Sequence, residues 1–294
     1  MSLADIPTAP WPPEIALPLA VLFGLLIGSF LNVVVGRLPG IVTAEAEGRR
    51  PAMSLAYPAS HCPKCGAALS WRENLPLLSF LLQRGRCRHC AGRISWRYPI
   101  LEALGATAGA VAVWRFGVGV EALLVAAFLL SLLALSAIDL EAGLLPDRIT
   151  LPLLWLGLVA AAFGSGPAPA MAILGAAAGY AALDGLNRLT RLCLGRDGMG
   201  GGDAKLAAAL GAWLGPEGLA VALLIAFAGG ALYGVAALLA KRASKTVATP
   251  SKGGAGDAPA GDELPFGPWL ALGGAVLSLA PEFAGRALAW LAGV

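Results

Sequence analysis

Ile149–Leu183 reads ITLPLLWLGLVAAAFGSGPAPAMAILGAAAGYAAL, 35 consecutive residues without a charge. A helix crossing the hydrocarbon of a bilayer needs about 20 apolar residues. The run is too long for one crossing. Gly164-Ser-Gly-Pro-Ala-Pro169 divides it, because clustered Gly and Pro stop a helix and favour a turn. The stretch therefore predicts a pair of membrane helices joined by a tight connection.

Working outward, Ile15–Val35 gives a 21-residue uncharged span, Tyr98–Trp114 a second broken only by Glu102, and Ala122–Ile138 a third. Ile149–Leu183 supplies spans four and five. Leu206–Ala240 repeats the pattern and is divided by Gly215-Pro-Glu-Gly218 into a short span six and a long span seven. Leu264 to the C-terminus is span eight. The expected fold is an all-α polytopic membrane protein of about eight transmembrane helices. Composition agrees: 57% of residues are hydrophobic, 13% are charged and the mean hydropathy is +0.74, against roughly 25% charged residues in soluble domains. Met1–Pro13 has no basic residue and a full span follows it, so the start does not read as a cleavable signal.

Lys and Arg are retained on the cytoplasmic side of membrane proteins. With eight spans and the N-terminus outside, all of the 21 basic residues except Arg115 and Arg286 fall in the inner segments 36–97, 139–148, 184–205 and 241–263. The opposite orientation reverses nearly all of this charge. No basic stripe is interleaved with stacking aromatics, so the formal charge of +3 does not point to nucleic acid. Three units follow: 1–36, a periplasmic N-terminus and first helix; 37–97, a cytoplasmic domain; and 98–294, a membrane-embedded body. Lys241–Glu263, rich in Gly, Ala, Ser, Pro and Lys, reads as a flexible loop.

Span three ends at Ser136-Ala-Ile-Asp139, and span six begins after Gly198-Met-Gly-Gly-Gly-Asp203. The alternating topology puts both aspartates at the inner boundary although 64 residues separate them. Ionisable groups beside hydrocarbon are expensive and mark function by default. Two carboxylates sharing a semi-buried site hold a proton between them. One then draws a proton from water while the protonated partner polarises a carbonyl, as in aspartic proteases. Gly200 and Gly202, lacking Cβ atoms, let a substrate strand or another helix approach. The competing structural reading makes both acids helix ends facing water. Asp203 suits that role at a helix start, whereas Asp139 lies where the dipole disfavours it. Glu141, Asp147, Asp184 and Asp197 read as solvated loop residues.

Cys62-Pro-Lys-Cys65 and Cys87-Arg-His-Cys90 form two C-x2-C pairs, the spacing of a closed four-thiolate structural zinc site. A reducing cytoplasmic setting disfavours disulfides. His61 and His89 are spare ligands expected in solvent, and Cys193 is expected to be a small buried apolar residue. A closed site has no open position for catalysis and staples a segment with little core of its own.

Gly28-Ser-Phe-Leu-Asn32, Arg37-Leu-Pro39, the two cysteine pairs, Asn74-Leu-Pro-Leu-Leu-Ser79 and Ile94-Ser-Trp-Arg-Tyr-Pro99 carry a family resemblance. So do Asp139 with Leu145-Pro-Asp147, Leu151-Pro-Leu-Leu-Trp155, GMGGGDAKL at 198–206 and Pro265-Phe-Gly-Pro268. Together they resemble the type IV prepilin peptidases, the bifunctional leader peptidase/N-methyltransferases of the GxGD class of intramembrane aspartyl proteases. The resemblance implies cleavage of the basic leader of prepilins or pseudopilins at the cytoplasmic face of the bacterial inner membrane. It then implies N-methylation of the new amine with S-adenosylmethionine, in a type IV pilus or type II secretion pathway. It makes Asp139 and Asp203 the catalytic pair and links the cysteine domain to methylation. Gly201 stands where relatives often have Tyr, and the 241–263 loop is longer than usual. No G-x-G-x-x-G follows a strand, so the methyl donor binds without a Rossmann-type fingerprint. Readings from other classes are a proton-coupled transporter using the two aspartates as a relay, and a non-catalytic scaffold with a zinc knuckle.

Overall fold

The computed structural model of the chain describes residues 11–195, 199–245 and 265–292. Asp197, Gly198, most of the 241–263 loop and the first ten residues lie outside the described residues. The helices are α1 (Pro13–Ala46), α2 (Leu78–Leu82), α3 (Arg97–Phe116), α4 (Val120–Ala142), α5 (Asp147–Ala162), α6 (Pro169–Leu194), α7 (Gly201–Lys245), α8 (Gly267–Leu279) and α9 (Glu282–Ala292). Among the described residues the only β-pairing is two isolated bridges. Helices α1, α4, α6 and α7 are long and apolar enough to cross a membrane by length and composition.

Glycine contacts set the order of the bundle. A Cβ on Gly24 would meet the Gly105 carbonyl at 2.3 Å, one on Gly28 the Glu102 Cα at 2.8 Å, and one on Gly109 the Ala20 carbonyl at 2.5 Å. Gly24/Gly28 and Gly105/Gly109 are thus facing small-xxx-small pairs, the arrangement that lets membrane helices touch backbone to backbone. Their matching order runs α1 antiparallel to α3. Asn32 reinforces the pair: it is buried, and its Nδ2 donates to the Tyr98 carbonyl at 3.2 Å. In the same way Gly175 packs on Gly211 and Gly179 on Ala207, joining α6 to the start of α7.

Helix α7 is two arms. Gly215 has φ 69° and ψ 178°, a left-handed conformation that an L-side chain rarely adopts, and Pro216 opens the second arm. The chain reverses there. Leu210 of the first arm and Ala222 of the second meet adjacent residues of α8, Gly274 and Gly273, while Gly229 reaches back to Trp269 near the α8 start. The expected break between spans six and seven is therefore real. Helices α1, α3, α4, α5 and α6, the two arms of α7, and α8 alternate in direction as eight passes. The main core lies among α4, α7 and α8, around Phe128, Leu132, Leu135, Leu206, Leu210 and Leu270. Trp213 stacks on Phe128 (centroids 4.7 Å apart) and donates to the Leu153 carbonyl of α5 at 2.9 Å.

Three details depart from the sequence reading. Helix α1 does not stop near Val35 but continues through Pro39 to Ala46, because Leu38, Ile41 and Ala44 are buried. The C-terminal span is not one helix: α8 ends at Leu279, and Ala280-Pro281 intervenes before α9. Proline disfavours helical backbone in the residue before it, and Ala280 has φ −137° and ψ 68°. Cys193, expected to be buried, is exposed. It lies beyond Gly175, Gly179 and Leu183, which form the buried face of α6.

Candidate active site

Asp139 sits in the last turn of α4 and Asp203 in the first turn of α7. Each is only 8% exposed, which does not fit helix ends facing water. The two carboxylates are close enough to interact electrostatically. Asp203 also caps its own helix: its side chain is hydrogen-bonded by the Gly200 backbone, and its N–H donates to the Gly200 carbonyl at 3.1 Å. This is the reach-back of a third-position acid onto the N-cap residue. A cap and a reactive group coexist in one residue.

The partner of Asp139 comes from far along the chain. The N–H of Gly267, the first residue of α8, donates to Asp139 Oδ2 at 2.9 Å across 128 residues. Asp139 is misplaced with respect to the dipole of its own helix, and the positive end of α8 compensates. Sequence reasoning passed over Gly267 as a site residue. The signal available was Pro265-Phe-Gly-Pro268, with Pro at the second helical position marking a helix start. A Cβ on Gly267 would lie 2.8 Å from Asp139 Oδ2 and 3.1 Å from Leu145 Cδ2. Gly267→Ala is expected to push the carboxylate aside and lower leader cleavage about 10- to 100-fold, the scale of an ångström-sized misplacement. A cleavage time course on the purified variant measures it.

The glycines before Asp203 differ among themselves. At Gly202 a Cβ would meet Leu145 Cβ at 2.7 Å, so a side chain already fills that approach. Gly201 has nothing within 4 Å of its Cβ position, and Gly200 only Asp203 and Gly202. The open face beside the acid is at 200–201. Of the other acids, Asp147 pairs with Lys205 at 2.7 Å, Asp184 with Arg188 at 2.7 Å, and Glu141 with Arg97. Asp147–Lys205 ties the start of α5 to the first turn of α7 beside the site.

The four cysteines between α1 and α3 converge. Their Sγ atoms all lie within 4.8 Å of one another, with Cys62 and Cys90 4.0 Å apart, and none is in a disulfide. Four thiolates around a zinc ion at 2.3 Å stand about 3.8 Å apart, so the donor set fits. The N–H groups of Cys65 and Lys64 push the Cys62 thiol down to about 6, whereas, against a backbone hydrogen bond from Ala67, burial and the neighbouring thiols push Cys65 up to about 11, so the four sulfurs share their charge as one coupled set. His89 Nε2 lies 3.5 Å from Glu73, and His61 Nδ1 meets the Ala59 carbonyl at 2.9 Å.

 Neither histidine belongs to the four-sulfur cluster.

The cluster is built from a local repeat that the sequence reading did not detect. Cys62-Pro-Lys-Cys-Gly-Ala-Ala-Leu-Ser-Trp-Arg72 aligns with Cys87-Arg-His-Cys-Ala-Gly-Arg-Ile-Ser-Trp-Arg97. The backbone repeats with it. The Cys62 N–H donates to the Ala67 carbonyl and the Cys87 N–H to the Gly92 carbonyl, each at 2.9 Å. Bridges His61–Ala68 and Arg86–Arg93 close the two knuckles, and Gly66 and Ala91 both take positive φ. Each knuckle presents two sulfurs, and their pairing completes a tetrahedron. Ser70 and Glu73 form a capping box on the turn between them, and those hydrogen bonds from Ser70 hold the Glu73 carboxyl below the usual carboxylate range.

A polytopic helical bundle that buries two aspartates together at one end, beside a four-cysteine cluster, defines a membrane protein with a paired-carboxylate site. The Bacterial Peptidase A24 N-terminal domain model matches residues 22–116, and the Type IV leader peptidase family model matches 126–235. A Pseudomonas putida protein described as a prepilin leader peptidase/N-methyltransferase is 42% identical over 275 residues, covering 89% of this chain and 90% of that protein. Proteins of the same description from Burkholderia pseudomallei (strain 1026b) and Neisseria gonorrhoeae are 42% and 36% identical. They cover 90% and 94% of this chain, and 85% and 94% of their own lengths. No solved structure matches the chain. The chain belongs to the prepilin leader peptidase/N-methyltransferase family.

Proposed function

We propose that this chain is a bifunctional prepilin peptidase of the bacterial inner membrane whose catalytic carboxylates are Asp139 and Asp203. The observation that carries the assignment is their burial side by side, one on α4 and one on α7, at the same end of the bundle. A water between them loses a proton to the ionised carboxylate as its oxygen attacks the scissile carbonyl carbon. The protonated carboxyl donates to the carbonyl oxygen. Collapse breaks the C–N bond, and the leaving amine takes a proton from the pair. Gly267 N–H holds Asp139 in place, and the open backbone at 200–201 admits the unwound substrate strand.

The aspartate end is cytoplasmic in this reading. Its support is charge: the basic residues other than Arg115 and Arg286 fall in the sequence segments 36–97, 139–148, 184–205 and 241–263, which the alternating topology assigns to that end. The substrates are prepilins or pseudopilins of a type IV pilus or type II secretion system, cleaved between a basic leader and an apolar helix. The 37–97 segment is a zinc domain held by Cys62, Cys65, Cys87 and Cys90, and 98–294 is the peptidase body. S-adenosylmethionine, when bound, supplies the methyl group for the new amine. Incubating the purified protein with a prepilin and methyl-labelled S-adenosylmethionine tests both activities together. A shortened peptide carrying label is expected. A shortened but unlabelled peptide leaves a leader peptidase alone, and an uncut peptide overturns the assignment.

A further inference from the structure

Helix α2, in the cysteine-bearing segment, is apolar on its outside. Leu78, Leu81 and Leu82 are each at least 57% exposed, and only Ser79 and Phe80 turn toward the protein. Phe80 meets Trp96 with ring centroids 5.1 Å apart. Trp96 in turn heads an exposed stripe on α3 that continues through Ile100 and Leu104. Residues four apart share a helix face, and on a membrane pass that face meets lipid. The leucines of α2 extend the stripe beyond the end of the helix. Water is a poor solvent for so contiguous a patch.

Depth decides what covers it. The Leu77 N–H, at the entry to α2, donates to Glu102 Oε2 at 2.8 Å. Glu102 lies five residues inside α3 from Arg97, roughly 7.5 Å along the axis, and its Cα faces Gly28 of α1. Pro76 shares a cavity wall with Leu26, Ser29 and Phe30 of α1. Ser29 precedes Arg37, the first charge after the α1 span, by eight residues, or roughly 12 Å. Both helices therefore put the 76–77 turn below the level of the arginines that mark the membrane boundary.

The backbone is arranged for that depth. Polar groups in hydrocarbon must be satisfied by the protein itself. Pro76 has no N–H, the Leu75 carbonyl accepts from the Ser79 N–H, and the Leu77 carbonyl accepts from the Leu81 N–H. The Leu77 N–H, which a helix start cannot use internally, goes to Glu102. This gives a role to a buried acid that has no part in the peptidase chemistry. Charge agrees as well: residues 48–97 carry nine Lys or Arg and one acid, Glu73. Arg84 and Arg86 follow α2 closely and are exposed. An apolar tip within a cationic segment matches a leaflet with anionic headgroups.

We propose that α2 dips into the bilayer. Leu78, Leu81 and Leu82 enter the acyl chains, Trp96 sits among the headgroups, and Arg84 and Arg86 face lipid phosphates. Glu102 is the positioning residue that holds the dip. The leaflet is the one beside Asp139, because Arg97 at the α3 start pairs with Glu141, two residues beyond that aspartate. The inference rests on the multi-pass membrane reading and on neither enzymatic activity.

A nitroxide on p-acetylphenylalanine at position 81 reads the depth without using the cysteines. The full-length zinc-loaded protein is placed in nanodiscs of phosphatidylethanolamine and phosphatidylglycerol, with no pilin present. Relaxation of the label by oxygen, which partitions into hydrocarbon, is compared with relaxation by a water-soluble nickel chelate. At 81 oxygen is expected to exceed nickel, as at position 104 on the α3 stripe, whereas position 47, beyond the end of α1, shows the reverse. Glu102→Leu removes the acceptor and is expected to raise nickel relaxation at 81, while Glu102→Gln, which keeps an oxygen, leaves it unchanged. A label at 81 that behaves like the one at 47 overturns the dip. One that is wet in the nanodisc and protected only when a prepilin is added also overturns it, and makes α2 a substrate surface instead. Unaltered depth in Glu102→Leu removes Glu102 from its positioning role and leaves the dip standing. If the protein labelled at 81 fails to fold, as judged by zinc content and melting temperature, position 78 decides.

Discussion

Asp139→Asn and Asp203→Asn are each expected to reduce leader cleavage by roughly 10²–10⁴-fold, the contribution typical of a positioned general acid or base. Both substitutions keep the shape of the side chain. Asn at 139 retains an oxygen for the Gly267 N–H, and Asn at 203 retains one for the Gly200 backbone. The α4–α8 contact and the α7 cap therefore survive, and what disappears is the exchangeable proton. A gel-shift assay on a full-length prepilin, with melting temperature and zinc content measured on the same preparations, separates lost chemistry from lost structure. Normal processing by both single variants would sink the peptidase assignment.

The second large effect is on metal. Replacing Cys62 and Cys65 together by Ser removes one knuckle's pair of thiolates from the four that converge. Structural zinc bound by four thiolates is worth about 10–16 kcal/mol of apparent binding free energy in isolated finger peptides, and two ligands cannot close the shell. Bound zinc is expected to fall from one ion per chain to none by mass spectrometry. The segment from residue 47 to residue 96 should become protease-sensitive. It has little besides the metal to order it: α2 is five residues long, and a four-residue 3-10 turn is the only other helical piece. Helices α1 and α3 hold each other through their glycine faces and are expected to stay associated. Full zinc stoichiometry in the double variant would contradict the four-ligand site.

The number of passes and the common end of the two aspartates were legible because both follow from bulk properties. Uncharged length, Gly-Pro breaks and the sidedness of Lys and Arg are properties of segments, and the bilayer imposes them on the whole chain. What escaped depends on individual contacts. Helix α1 was cut short because the uncharged run was read to Val35, just ahead of Arg37, yet packing of Leu38, Ile41 and Ala44 carries the helix past it. Gly267 escaped because a backbone N–H has no residue signature, and its carboxylate partner lies 128 residues away. Glu102 registered only as an interruption to a span. Its meaning depends on which loop folds over it, and Leu77 approaches with a positive φ that sequence does not announce.

The hydrogen bond from Gly267 to Asp139 also bears on how the molecule can be divided. The leader peptidase family model ends at residue 235, before α8 begins, so a fragment trimmed to that model would contain both acids and still lack one wall of their site. The two sides of the 241–263 segment are then halves of a single machine. Co-expressing them as separate polypeptides asks whether α8 can find its berth unaided, without the tether that normally delivers it.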